Sequence, residues 1–465
     1  MSDQLAVYSP YDRKLIDTLP LIDEKELENV LQTAHNLFLD RKSWIPAHRR
    51  IAILEKTREL MESRVEELTR TAAQEGGKPY RDSKVEVIRA INGVKIAAEE
   101  ISQMKGVQVP MGITESSVNR LAFTMREPIG VVASLSAFNH PLNLIVHQTV
   151  TAFAAGCPVI VKPASNTPFS CLALVDILKE AGVPEGWVQP ILCSNELAEK
   201  LATDKRINYL SFIGSAKIGW YLKSKLAPGT RCALEHGGAA PVIVASDADL
   251  EDLLPLLVKG GFYHAGQVCV SVQKVFVAAE LAEKLAEDMA KAAKQLKVGD
   301  PLDEDTEVGP LILTGEVDRV EAWVQEAVDG GARLLCGGKR MGNTCFEPTV
   351  LYNPPADARV SREEIFGPVV CVYSYTDREA AIEQANSLDY HFQAAVFTKN
   401  IDLALDTVQK LNATAVMVND HTAFRVDWMP FGGRDASGEG LGGIPYSMHE
   451  MSREKLMVFR SKLLP

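Results

Sequence analysis

Glu127-Pro128-Ile129-Gly130-Val131-Val132-Ala133-Ser134 is the stretch at which the texture of the chain changes. Before it, residues 23–38 and 51–73 carry Leu, Ile and Ala at three- and four-residue intervals with charges between, which predicts helices for most of the first hundred residues. From it onward, short apolar runs alternate with helical patterns. Residues 131–134 read as a strand, 141–154 as a helix, 158–161 as a buried strand and 168–180 as a helix. Further strands at 188–192 and 209–213 lead into helices at 196–201 and 216–226. Strands with no polar alternation are buried on both faces, so a parallel sheet between two helical layers is expected, the outline of a nucleotide-binding architecture.

A second α/β series opens after Glu235-His236-Gly237-Gly238, with strands at 241–245, 274–277, 369–373 and 394–397 and helices at 250–265 and 280–296. Two α/β domains of similar size are expected, within the two to four that 465 residues allow. The formal charge of −12, with no Lys/Arg run, argues against nucleic acid as a partner. No apolar stretch reaches the roughly 20 residues of a membrane span. Met1-Ser2-Asp3-Gln4-Leu5 has neither a basic nor an apolar leader region, so a cytoplasmic protein is expected. Eight scattered cysteines without a C-x-x-C pair suggest reduced thiols and no metal site.

Four short stretches can carry chemistry. In His264-Ala265-Gly266-Gln267-Val268-Cys269-Val270-Ser271, Cys269 occupies a glycine-led loop, which suits an accessible nucleophile but equally a packed small residue. Glu235, at a strand end before paired glycines, is either a general base or a solvated carboxylate. Asn139, in Phe138-Asn139-His140-Pro141, can donate to an oxyanion or cap a helix. Phe212-Ile213-Gly214-Ser215 sits at a strand-to-helix junction where a helix N-terminus favours phosphate, although the G-x-G-x-x-G spacing is absent.

Taken in order, these pieces resemble the aldehyde dehydrogenase superfamily over essentially the whole chain, from Tyr8-Ser9-Pro10 to Phe431-Gly432-Gly433. Its most specific matches are Gly266-Gln267-Val268-Cys269, Glu364-Ile365-Phe366-Gly367-Pro368 and Met429-Pro430-Phe431-Gly432-Gly433. The resemblance implies a Rossmann-like cofactor domain (1–106 and 127–237), a second α/β catalytic domain (238–436) and a small β oligomerisation element (107–126 and 450–465), assembling a homodimer or homotetramer. It implies that Cys269 attacks an aldehyde, that Asn139 and the Cys269 N–H hold the oxyanion, and that Glu235 activates the water that hydrolyses the thioester. NAD or NADP would be held by Lys162, Ser165, Gly214, Ser215, Glu364 and Phe366, with Leu135 and Phe138 lining the cleft. Ser165 stands where NAD-restricted members often carry a Glu, which favours room for a 2′-phosphate.

Three departures matter. His236 follows Glu235 where many members have Leu, Ala137-Phe138-Asn139 replaces Pro-Trp-Asn, and Gly442 replaces a second carboxylate. His140 and Arg425, in Phe424-Arg425-Val426-Asp427-Trp428, resemble the lactaldehyde and phosphonoacetaldehyde branch and are the candidates for gripping a small polar or anionic aldehyde. A salt bridge from Arg425 to Asp427 or to a neighbouring subunit is the competing expectation. Val268 stands where that branch has a second arginine, which favours a monoanionic or neutral hydroxyaldehyde. The rival functions are a coenzyme A-acylating dehydrogenase, disfavoured by Glu235, and a non-catalytic protein of the same fold, disfavoured by the joint presence of Cys269, Asn139, Glu235, Lys162 and Glu364.

Overall fold

The computed structural model of the chain describes residues 4–464. Met1–Asp3 and Pro465, the outermost residues of the expected segments 1–106 and 450–465, lie outside the described residues.

The apolar run at 131–134 forms the middle of a sheet. Arg231–Glu235, Ile207–Ile213, Val131–Leu135, Val159–Lys162 and Val188–Pro190 lie side by side in parallel, and Gly438–Glu439 adds an antiparallel edge beyond Arg231–Glu235. Val131, Val132 and Ala133 are wholly buried because helices cover both faces. The chain enters at Val131–Leu135, winds outward through Val159–Lys162 and Val188–Pro190, then crosses back to Ile207–Ile213. The switch point between Val131–Leu135 and Ile207–Ile213 opens a crevice at the strands' carboxyl ends, where open α/β sheets bind ligands.

A second sheet has the order Arg333–Cys336, Thr349–Tyr352, Val369–Tyr375, Lys274–Ala278, Pro241–Val244, Gln393–Phe397, Ala415–Val418, antiparallel only at Arg333–Cys336. A third, of three strands, pairs Ser452–Arg460 with Arg120–Pro128 along nine residues and adds Gln108–Val109. The mixed α/β architecture with parallel sheets agrees with the expectation. No helix among the described residues is long and apolar enough to cross a membrane.

Several local expectations need correction. The amino-terminal region opens with an antiparallel hairpin, Gln4–Tyr8 with Leu15–Pro20, in which one residue is buried, so it lacks the apolar signal of a core strand. The run at 51–73 is two helices, Ala47–Ser63 and Val65–Gly76, broken at Arg64. Residues 143–155 are helical but contain a π turn at Val146–Val150. The helix expected at 250–265 ends at Phe262, since His264 and Ala265 adopt left-handed backbone (φ 49° and 52°).

Candidate active site

The carboxyl ends of the first sheet and the loops that lead into strands Pro241–Val244, Lys274–Ala278 and Val369–Tyr375 of the second face one cavity of about 580 Å³. Its wall brings together Asn139, Glu235, Cys269, Glu364 and Arg425, from segments spread over nearly 290 residues of chain.

Cys269 is placed by a strained turn. His264, Ala265 and Gly266 are left-handed in succession (φ 49°, 52° and 68°), at about 1–2 kcal/mol for each non-glycine residue. Gly266 cannot carry a Cβ, because the Gly367 carbonyl presses against that position. The Gln267 side chain locks the turn: its Oε1 accepts from the Ile312 N–H at 2.9 Å and its Nε2 donates to the Pro310 carbonyl at 3.1 Å. The thiol emerges half-buried on the cavity wall, so it is neither sealed in the core nor free in solvent. Burial, then the Glu235 and Glu364 carboxylates, push its pKa far above the usual thiol range, while Arg425 pulls it down. The other seven cysteines are buried or half-buried away from this wall.

Asn139 is not a helix cap. Its buried Nδ2 donates one hydrogen to the Gln267 carbonyl at 3.0 Å, which leaves the amide's second hydrogen for the cavity. The Cys269 backbone N–H donates to no other group among the described residues. Two donors are therefore held ready beside one sulfur.

Glu235 ends its strand with no side-chain hydrogen bond among the described residues. Burial raises its pKa to about 7, with Arg425 opposing the rise, so the carboxylate is poised to exchange a proton near neutrality. A Cβ at Gly442 would collide with Glu235 Oε1, so the departure to glycine makes room for this carboxylate. His236 is packed away beneath the adjacent helix: it stacks edge-on against Trp220 and Phe212, and its Nδ1 pairs with the Ala436 carbonyl at 2.9 Å.

On the crevice side, Ala137, Phe138, Ala164, Ile213, Gly214, Ser215, Gly237 and Phe366 line the cavity. Leu135 corrects an expectation: it is buried in the sheet's core, and Ser136 takes its place on the wall. Phe138 and Phe366 meet edge to face at 6.0 Å. Ser215 stands at the N-terminus of the helix Ala216–Ser224. Glu364 accepts from the Gly238 N–H at 3.0 Å, and burial lifts its pKa to about 7. Lys162, half-buried, and Ser165, exposed, are near Ala164 in the chain but are not among the residues that line the cavity. The residues present fit a dinucleotide: among the described residues the buried Ser136 hydroxyl has no partner, and the Lys162 ammonium is bonded only to the Pro163 carbonyl, at 3.1 Å.

Opposite lies the polar end. Asp427 does not pair with Arg425. It accepts from Arg89 Nε and Nη2 (3.1 and 2.7 Å), His147 Nε2 (2.8 Å) and Asn143 Nδ2 (3.2 Å). Burial alone would raise the Asp427 pKa, but His147 and Arg89 hold it well below the usual carboxylate range. Arg425 is left with no carboxylate partner among the described residues. Its guanidinium lies 3.4 Å over the Phe431 ring, its Nη1 has no hydrogen bond, and burial lowers its pKa to about 10. His140 pairs through Nε2 with the Tyr263 hydroxyl, and burial with the surrounding cations keeps it neutral. Sequence reasoning missed Arg89, His147 and Tyr263, which all line the cavity. Arg89 brings a second guanidinium to the wall, paired with Asp427. No local signal marks it, since its partner is 338 residues away.

The model of the aldehyde dehydrogenase family matches residues 1–457. A 3-sulfolactaldehyde dehydrogenase of Priestia aryabhattai is 36% identical over 458 residues, covering 98% of this chain and 95% of that protein. A lactaldehyde dehydrogenase of Methanocaldococcus jannaschii is 36% identical over 461 residues, covering 98% and 97%. The crystal structure of the glyceraldehyde-3-phosphate dehydrogenase GapN from Methanocaldococcus jannaschii complexed with NADP superposes with a TM-score of 0.94 at 36% identity, covering 99% of this chain and all of that one. A likeness that runs the length of the chain in both sequence and structure leaves one conclusion: the chain belongs to the aldehyde dehydrogenase family and oxidises an aldehyde with NAD(P).

Proposed function

We propose that the substrate is a three-carbon 2-hydroxyaldehyde carrying an anionic group at the far carbon, oxidised to its acid through a thioester on Cys269. The observation that supports this most is Arg425, a guanidinium without a carboxylate partner on the same cavity wall as the thiol. A planar fork of donors in a desolvated site suits a carboxylate, sulfonate or phosphonate oxygen pair. The relatives' names fit: sulfolactaldehyde, lactaldehyde and glyceraldehyde 3-phosphate share a three-carbon 2-hydroxyaldehyde frame, and two of the three end in an anion. The neutral His140–Tyr263 pair offers a donor and an acceptor for the 2-hydroxyl.

The resting thiol is protonated, so Glu235 takes its proton as sulfur bonds to the carbonyl carbon. The resulting oxyanion accepts from the free Asn139 amide hydrogen and the Cys269 N–H. The bound dinucleotide supplies the hydride acceptor. Lys162 and Ser165 hold its adenosine ribose, Gly214 and Ser215 its pyrophosphate, and Glu364 with Phe366 and Phe138 its nicotinamide end. Glu235 gives that proton up to solvent and, as the carboxylate again, draws a proton from the water that cleaves the thioester, which favours hydrolysis over transfer to coenzyme A. The exposed hydroxyl of Ser165 favours NADP over NAD.

The same reading assigns 1–106 and 127–237 to cofactor binding, 238–436 to catalysis, and 107–126 with 450–465 to assembly of a homodimer or homotetramer. Exposed Leu121, Met125, Leu456, Val458 and Phe459 on the three-stranded sheet support the last assignment. The test of substrate is absorbance at 340 nm with paired aldehydes matched in length, one neutral and one anionic, with either cofactor. Higher kcat/KM for the anionic member supports the proposal; preference for the neutral one removes the anion from it. Cys269→Ala should abolish turnover while nucleotide binding persists, and residual full activity would move the nucleophile elsewhere.

A further inference from the structure

A second hollow, of about 200 Å³, lies in the second α/β unit, beside the strand Lys274–Ala278 that follows Cys269. Its walls include Lys274, Ser361, Arg362, Tyr373, Gln384 and Ser387. Lys274 is 2% exposed, and its ammonium donates to the Glu363 carbonyl at 3.0 Å. No carboxylate lies within ion-pair distance of it among the described residues. Arg362, exposed at the mouth, makes no side-chain hydrogen bond or ion pair among them either. The wall hydroxyls are already committed: Ser361 donates to the Pro355 carbonyl and accepts from Tyr373, and Ser387 donates to the Gln384 carbonyl. What the hollow presents is therefore spare N–H donors on two cations. A buried ammonium without a counter-charge is costly, and an anion that enters relieves that cost.

We propose that this hollow is a binding site for a small tetrahedral oxyanion of the phosphate or sulfate class, held between Lys274 Nζ and the Arg362 guanidinium. Its volume is below the 300–1,000 Å³ typical of nucleotide- or drug-sized ligands, which limits the occupant to a small ion with a few waters. Occupancy reaches the active site through the backbone. Lys274 grips the carbonyl of Glu363, and the next residue, Glu364, holds the Gly238 N–H beside the catalytic cavity. An oxyanion that draws on the ammonium alters that grip and with it the KM for the dinucleotide. This coupling rests on the role proposed for Glu364, whereas the binding does not.

The test is thermal melting of the full-length enzyme, saturated with NADP, against phosphate, sulfate and chloride at equal ionic strength. The expected result is a saturable rise with phosphate or sulfate and none with chloride. Arg362→Ala should weaken the apparent affinity at least tenfold, Lys274→Met should do the same, and Arg425→Ala should leave it unchanged. A linear, unsaturated rise is the general salting effect of such ions and overturns the proposal. So does a response that survives Arg362→Ala or disappears in Arg425→Ala. The melting readout needs no turnover, so a wrong substrate assignment would not disturb it. A phosphate-dependent change in KM for NADP that Arg362→Ala removes supports the coupling, and its absence overturns the coupling.

Discussion

Replacing Arg425 by Met tests the substrate proposal most sharply, because the structure leaves this side chain one partner, the Phe431 ring. Met keeps most of the apolar stem and discards the guanidinium, so packing on Phe431 changes little. A hydrogen bond to a charged group contributes about 1.5–3 kcal/mol. At about 1.4 kcal/mol per factor of ten, kcat/KM for an anionic aldehyde should fall roughly 10- to 150-fold. A neutral aldehyde of equal length should lose less than about threefold, since no fork-to-anion bond exists to lose. A second readout is independent of substrate charge. Arg425 holds the Glu235 pKa down against burial, so the alkaline-rising limb of the rate profile, near pH 7 in the parent, should move upward in the variant. Folding should not suffer, because no carboxylate loses its partner. Steady-state kinetics with the paired aldehydes across pH 6–9, with a melting curve alongside, checks all three. Equal losses for both aldehydes, with an unmoved pH limb, would refute the reasoning and make Arg425 a structural residue.

Glu235→Gln should slow both the formation and the hydrolysis of the thioester and abolish the limb near pH 7, as read by rapid quench. The sign of its stability effect follows from the raised pKa: between about 4.5 and 7 the folded carboxylate holds a proton that the unfolded chain releases, so parent stability falls as pH rises through that window. The variant lacks this loss, so relative to the parent it should gain up to about 3 kcal/mol between pH 4.5 and 8 in urea unfolding. Asp427→Ala should destabilise by about 3–5 kcal/mol, because it strands Arg89 and His147 in the interior; a denaturation midpoint within error of the parent would show the hub to be dispensable. Ser165→Glu should shift the NADP/NAD ratio of kcat/KM toward NAD by about tenfold or more, and an unchanged ratio would take Ser165 out of the cofactor assignment.

The expected parallel sheets were legible because fully buried strands announce themselves: Val131, Val132 and Ala133 need no partner sequence to show that both faces are covered. Cys269, Glu235 and Asn139 each lie in a short motif at the end of a strand or helix, and it was the order of those motifs, through the family resemblance, that singled them out as candidates. The hairpin at Gln4–Tyr8 was not, because four of its five residues remain outside the core and leave no periodicity. Nor was the reversal at His264 and Ala265, which have ordinary helix-compatible side chains and are held left-handed by the contacts of Gln267 and Gly266.

From the sequence alone came the parallel sheets, which the apolar runs announce locally, while Cys269, Glu235 and Asn139 were marked as candidates by the family resemblance of their motifs. Only the tertiary structure decided which charges meet. Asp427 is two residues from Arg425, yet it binds Arg89, 338 positions away, and so frees Arg425 for the cavity. Ion pairing depends on distance in space and on desolvation, which neighbouring positions along a chain do not determine.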